Sequence, residues 1–188
     1  ALDRRWKPSR SAAHGRKAAG SVTARRGAFG YHLWLVPEGE SLRSLQEVVA
    51  RLAEEHAGPV FTPHITLLSG LTADEASLVE TNRALAAGLE PFPLSLTLPE
   101  AGSTFFQCIY MRVAESPALA KTRQAAGEAF TLPAGDYMPH LSLYYGDASP
   151  EHRSSILAAV PAQARCSFPV ESIQLIRADS ERPSDWHC

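Results

Sequence analysis

The sequence predicts an α/β or α+β domain made of two related lobes, and three observations lead there. Short β-rich runs alternate with helical periodicity along most of the chain. Two His-x-Thr/Ser tripeptides, at His64 and His140, lie 76 residues apart, each after a proline and each entering an apolar run. Other features shift by the same interval: Phe92-Pro93 recurs as Phe168-Pro169, and Trp34 corresponds to Tyr110. Several matches at one offset mark an internal repeat, two halves arranged about a pseudo-twofold axis that brings the two histidine strands together.

The elements follow in order. The run GYHLWLVP from Gly30 is strand-like, and Leu42, Leu45, Val48, Val49 and Leu52 then repeat at helical spacing after Ser41, a candidate N-cap. HITLLS (64–69) is a second strand, and Thr72 with Glu75 forms a capping box opening a helix that ends near Gly88. PFPLSLTL and FFQCIYMRV are the next two strands. Ser116-Pro117 opens a third helix by the cap-then-proline rule, HLSLYYG is a strand, Ser149-Pro150 opens a fourth helix, and SIQLIRA is the last strand.

Charge narrows the function. The first 26 residues hold eight basic side chains against Asp3, so the remainder, with 10 basic and 19 acidic residues, carries a formal charge of −9. An acidic body is a poor grip for long RNA or DNA, which needs basic side chains to neutralise phosphates. A small phosphorylated substrate fits better, and no long nucleic acid is expected as a partner. No apolar run approaches the roughly 20 residues of a membrane span. Cys108, Cys166 and Cys188 show no metal-ligand spacing, so reduced thiols are expected, with one disulfide remaining open. Residues 1–27, rich in Arg, Ser, Ala and Gly, read as a basic disordered tail or as an organellar transit-like segment. Residues 28–188 are expected to form a single domain, monomeric and cytoplasmic, or in a plastid or mitochondrion if the leading segment targets it.

A strand's period of two puts His64 and Thr66 on one face with Ile65 and Leu67 on the other, and does the same for His140 and Ser142. Each strand then offers one imidazole and one hydroxyl to a shared cleft. Opening a cyclic phosphate needs a proton taken from water on one side of phosphorus and a proton given to the departing sugar oxygen on the other. Two histidines suit that pair of tasks near neutral pH. The hydroxyls of Thr66 and Ser142 can hold the non-bridging oxygens. The reaction so drawn uses no metal or other cofactor, and no carboxylate cluster with ligand spacing is present. One isolated His-x-Thr is more often a structural histidine; the repeated pair, each copy after proline, is what turns the reading to catalysis.

The paired PHITL and PHLSL motifs resemble those of the 2H phosphoesterase superfamily, named for its two His-x-Thr/Ser motifs. YHLWLVP, FFQCIYMRV and YMPHLSLYYG are similar to the cyclic phosphodiesterases of plants and fungi, from about Tyr31 to the C-terminus. The resemblance implies a bilobal α+β fold, each lobe an antiparallel sheet with outer helices, around a central cleft holding His64, Thr66, His140 and Ser142. It implies hydrolysis of ADP-ribose 1″,2″-cyclic phosphate to the 1″-phosphate and of nucleoside 2′,3′-cyclic phosphates to 2′-phosphates. His140 is taken as the base and His64 as the acid, although the reverse order leaves the overall reaction unchanged. Tyr145 matches a family tyrosine near the phosphate, yet strict alternation from His140 would place Tyr144 on the catalytic face; a bulge or strand end at 144–146 reconciles the two. Trp34 and Phe105 are candidates to stack on a base or line the cleft. The alternatives are an RNA-end enzyme of the same fold, which would need a basic channel, and a binding module without turnover.

Overall fold

The computed structural model of the chain describes residues 29–132, 135–180 and 182–188, so the basic segment 1–27 lies outside the described residues. Among the described residues, eight strands and four helices run in the order β1 (Gly30–Leu35), α1 (Gly39–His56), β2 (Ile65–Leu71), α2 (Glu75–Ala87), β3 (Phe92–Ala101), β4 (Ile109–Val113), α3 (Pro117–Ala129), β5 (His140–Tyr144), α4 (Pro150–Ala159), β6 (Ser167–Val170), β7 (Gln174–Ala178) and β8 (Trp186–His187). The strands line up as β6-β3-β4-β5-β2-β1-β7-β8, and every neighbouring pair is antiparallel. This is the α+β arrangement with helices and an antiparallel sheet.

The 76-residue repeat is built into the hydrogen-bond ladder. Trp34 pairs with Thr66 as Tyr110 pairs with Ser142, and Leu35 with Ile65 as Met111 with Leu141. Residues 76 apart also face each other across the halves: Ile65 opposes Leu141, and Pro93 opposes Pro169. The pseudo-twofold axis therefore runs between those two pairs. The halves are interleaved, because β3 leaves its own half to pair with β4, and β7 crosses back to β1. Helices cross too, with α1 packed on β5 and α3 on β2. Neither half would hold a closed core alone.

The core lies on the helix-facing side. Leu33, Leu35, Ile65, Leu67, Leu141 and Leu143 have at most 1% of their surface exposed and pack with Leu45, Val48 and Leu52 of α1. Burying each such side chain contributes roughly 2 kcal/mol. β2 and β5 share one ladder pair only, Ile65 with Leu141, and the cleft opens beside that seam, next to both histidines.

Several boundaries differ from the sequence reading. Helix α1 starts two residues before Ser41, with Glu38 as an extended N-cap that makes no side-chain cap bond. At α2 the cap is Asp74, whose carboxylate accepts from the Ser77 amide at 3.0 Å and the Ser77 hydroxyl at 2.7 Å, so the Thr72/Glu75 capping box does not form. A carboxylate at the N-cap outcompetes a hydroxyl two positions earlier. Ser116 and Ser149 cap α3 and α4 as the sequence indicates. In FFQCIYMRV only Ile109–Val113 is strand; Phe105–Gln107 is a 3-10 turn that folds over the cleft. The short strands β6 and β8 were not read from the sequence.

Candidate active site

A cleft of about 590 Å³ lies at the seam, lined from the first half by His32, Trp34, His64, Thr66 and Ser69, and from the second by Phe105, Phe106, Gln107, His140, Ser142 and Tyr145. Thr104, Asp147, Ala178 and Trp186 complete its wall. Its size suits a nucleotide-sized ligand. All seven residues singled out from the sequence, His64, Thr66, His140, Ser142, Tyr145, Trp34 and Phe105, converge here.

The two histidines are held in the same way by the residues that precede them. His64 Nδ1 lies 2.6 Å from the carbonyl oxygen of Thr62, and His140 Nδ1 lies 3.0 Å from that of Met138. A carbonyl only accepts, so each Nδ1 carries the proton and donates, and each neutral ring keeps its lone pair on Nε2. The intervening Pro63 and Pro139 hold that turn stiff, since proline has a fixed φ. The repeated x-Pro-His thus sets one tautomer twice. His140 Nε2 stands 3.5 Å from the Gln107 side-chain nitrogen, a long contact at the edge of hydrogen bonding.

Aromatic support follows the repeat as well. Trp34 stacks on His64 with ring centres 3.4 Å apart and planes within 5°. Its counterpart Tyr110 meets His140 edge-on at 5.2 Å, and the Tyr110 hydroxyl donates to Glu100 at 3.0 Å. Trp34 therefore packs on the His64 ring itself, and Trp186 stands edge-on against Trp34 at 5.6 Å. Phe105 lines the cleft and meets Phe106 edge-on at 5.0 Å.

Burial separates the two imidazoles electrostatically. His64 is 7% exposed and has no acidic partner among the described residues, so loss of solvation pushes its pKa down to about 3, against the opposing pull of the Thr62 carbonyl. His140 is half-buried, and burial lowers its pKa with the Met138 carbonyl opposing. Arg112, opposite His140 in the ladder, adds to the lowering.

The position of Tyr145 is decided by a β-bulge. On β1–β2 the ladder steps from Leu33·Leu68 to Trp34·Thr66, leaving Leu67 extra; on β4–β5 it steps from Ile109·Tyr144 to Tyr110·Ser142, leaving Leu143 extra. Leu67 and Leu143 are 76 residues apart, so the bulge itself is repeated. After it the alternation shifts by one, which turns Ser69 and Tyr145 into the cleft and Tyr144 away from it. Tyr144 instead donates its hydroxyl to the His56 carbonyl at 2.8 Å. A Cβ at Gly58 would stand 2.4 Å from the Tyr144 ring, so only glycine fits there. Tyr145 stacks on Phe61 at 3.7 Å, and burial raises its pKa, so the phenol stays a proton-bearing donor.

The two hydroxyls differ. Ser142 is 5% exposed and donates to the Phe106 carbonyl at 2.9 Å, which ties the 3-10 turn to β5. Thr66 is half-buried and its hydroxyl has no protein partner among the described residues. Sequence reasoning missed His32, Ser69, Phe106, Gln107 and Trp186. His32 was within reach, since it shares a strand face with Trp34, whereas Trp186 arrives through a two-residue strand with no sequence signal. No Lys or Arg lines the cleft among the described residues, and no group of three or more His, Cys, Asp or Glu among them is placed to hold a metal ion. The three cysteines are free thiols.

Comparison with known proteins gives this geometry a family. Residues 36–182 match the 2′-5′ RNA ligase superfamily. The chain belongs to this superfamily, that of the two-histidine phosphoesterases. It is a phosphodiesterase. A protein of Arabidopsis thaliana named cyclic phosphodiesterase is 30% identical over 131 residues, covering 66% of this chain and 70% of that protein. Among solved structures, a Thermus thermophilus protein superposes with a TM-score of 0.56 at 20% identity, covering 84% of this chain and 92% of that one. E. coli LigT, solved with 3′-AMP, gives 0.50 at 18% identity, covering 81% and 89%. These structures are similar to this chain in fold.

Proposed function

We propose that the chain hydrolyses small cyclic phosphates, ADP-ribose 1″,2″-cyclic phosphate to the 1″-phosphate and nucleoside 2′,3′-cyclic phosphates to 2′-phosphates, as a monomer using His64 and His140 as its acid–base pair. One observation carries the reading: two imidazoles that each give Nδ1–H to a carbonyl two residues back and so keep the lone pair on Nε2, set in one nucleotide-sized cleft. The name of the Arabidopsis thaliana relative supports the reaction class. The absence of Lys and Arg from the described lining favours a small substrate over an RNA end, which calls for a basic channel.

The difference in burial favours an order of proton transfer opposite to the one taken from the sequence. An imidazolium is harder to keep at His64, stacked and nearly closed from water, than at half-buried His140. Neutral His64 then takes a proton from the attacking water through Nε2 as the water oxygen bonds to phosphorus. The P–O bond to the sugar breaks, and protonated His140 gives its Nε2 proton to that leaving oxygen. The products are a phosphomonoester and a sugar hydroxyl, and a proton passing from His64 to His140 through solvent resets the pair. The Thr66 hydroxyl and the Tyr145 phenol are donors for the non-bridging oxygens, and Ser142 joins them once it releases the Phe106 carbonyl.

The test is turnover of both substrate types in EDTA across pH. A monoester should form, and kcat/KM should fall on the alkaline side through a pKa below the ordinary histidine value of 6.5, reporting His140 in the free enzyme. The bound anion favours the imidazolium, so the matching limb in kcat should lie higher. No turnover of any cyclic phosphate would sink the reading.

A further inference from the structure

The cleft contains a third imidazole that the acid–base pair does not use. His32 lies on β1, two residues before Trp34 on the same strand face, and is only 5% exposed. Its ring lines the cleft, yet its Nε2 is closed from solvent in this orientation and has no hydrogen-bond partner among the described residues, so a ligand reaches that nitrogen only when the ring turns. Buried polar nitrogens are nearly always paired, because an unpaired one forfeits its hydration without return. Across the ladder its partner is Ser69, the residue that the bulge turns into the cleft. The counterpart of His32 in the second half is Cys108, fully buried in the core, so this polar pair exists in the first half alone.

We propose that His32, together with Ser69, is a substrate-binding subsite that hydrogen-bonds a sugar hydroxyl at the His64 end of the cleft; this rests on the phosphodiesterase reading above. Trp34 is paired with Thr66, where the phosphate is held, and His32 stands two residues further along the strand, roughly 7 Å away. That is about the reach from a ring-fused phosphate to the far side of its sugar. The group bound is an uncharged hydroxyl rather than a second phosphate, because no Lys or Arg lines the cleft among the described residues. The aromatic wall of Phe105, Phe106 and Tyr145 belongs to the other half and suits a base or other flat group. The cleft so divided has a polar end for sugar and an apolar end for the rest of the molecule.

The experiment uses the full chain as wild type, His32→Phe, which fills the space without a nitrogen, and His32→Gln, which keeps an N–H donor. Adenosine 2′,3′-cyclic phosphate and its 5′-deoxy analogue are the substrates, and binding of adenosine 2′-monophosphate is followed by calorimetry. His32→Phe should raise KM and the nucleotide Kd by about 5- to 30-fold, the range for one lost hydrogen bond, with kcat changed far less. His32→Gln should recover most of the loss. The 5′-deoxy analogue should cost the wild type a similar factor and cost His32→Phe nothing more. KM and Kd of His32→Phe within about twofold of wild type, with thermal midpoints equal, would overturn the subsite. A wild type that binds the 2′-nucleotide without turning over the cyclic phosphate overturns the phosphodiesterase reading instead, and the calorimetric arm still decides His32. A wild type that neither binds the nucleotide nor turns over the cyclic phosphate overturns both.

Discussion

The first-half wall of the cleft and the second-half wall share a backbone but are finished differently. Both place histidine after x-Pro, both turn a hydroxyl inward two residues on, and both insert a bulge at the same step, Leu67 and Leu143. The His64 side then adds a face-to-face tryptophan and closes the ring from water, while the His140 side adds an edge-on tyrosine tied to Glu100 and leaves its ring half open. Ser69 stands where the other side has Tyr145. A symmetric frame with asymmetric dressing lets two identical functional groups take different protonation states, which an acid–base pair requires.

The comparison can be broken most directly at the histidines. His64→Ala and His140→Ala should each lower kcat by roughly 10²- to 10⁴-fold, and the double variant should lose less than the product of the two, because they act on one transition state. Single-turnover rates on a nucleoside 2′,3′-cyclic phosphate measure this; near-normal turnover in either variant means that the halves are not one site.

The hydroxyls sharpen the comparison at smaller scale. Thr66→Val should cost about 10²-fold in kcat, since it removes a donor that is free for the phosphate. Ser142→Ala should cost about 10-fold, because its hydroxyl must first give up the Phe106 carbonyl. The ranking, read from kcat at saturating substrate, is the expected outcome, and its reversal would show that Ser142 is the better placed donor.

Stability should depend on pH with a definite sign. Between pH 6.5 and about 3 an unfolded His64 binds a proton and the folded one does not, so folding weakens as pH falls through that window. His32 and His140, also lowered, act in the same direction. Urea midpoints should therefore drop from pH 7 to pH 4, and less steeply in His64→Gln; equal slopes would mean that His64 stays solvated.

The smallest effect expected is aromatic. Trp34→Leu should lower kcat about 10-fold by freeing the His64 ring, and Tyr110→Phe about twofold, since only the bond to Glu100 goes while the edge contact remains. Equal effects would remove the asymmetry between the walls.

Much of this was legible residue by residue. The offset that pairs Trp34 with Tyr110 in sequence appears as one ring against each histidine, and Pro63 with Pro139 as the stiff step before each. The x-Pro-His pattern was visible, but the backbone carbonyl that fixes each tautomer was not, because a hydrogen bond to residue i−2 depends on the turn and not on which residue supplies the carbonyl. The helix starts at Gly39 and Glu75 were placed by caps that nearby Ser and Thr residues obscured. The Tyr144/Tyr145 question had its answer in a bulge, which a period-two pattern signals only as an inconsistency.

The sequence by itself determined the repeat, the α+β class and the four central side chains, since those rest on local spacing along each strand. Only the tertiary structure decided that β3 and β7 exchange between halves, that Trp186 enters the cleft, and that His64 is the drier of the two imidazoles. Those outcomes depend on which surfaces meet across the seam, and solvation is a property of the neighbours a residue acquires in space.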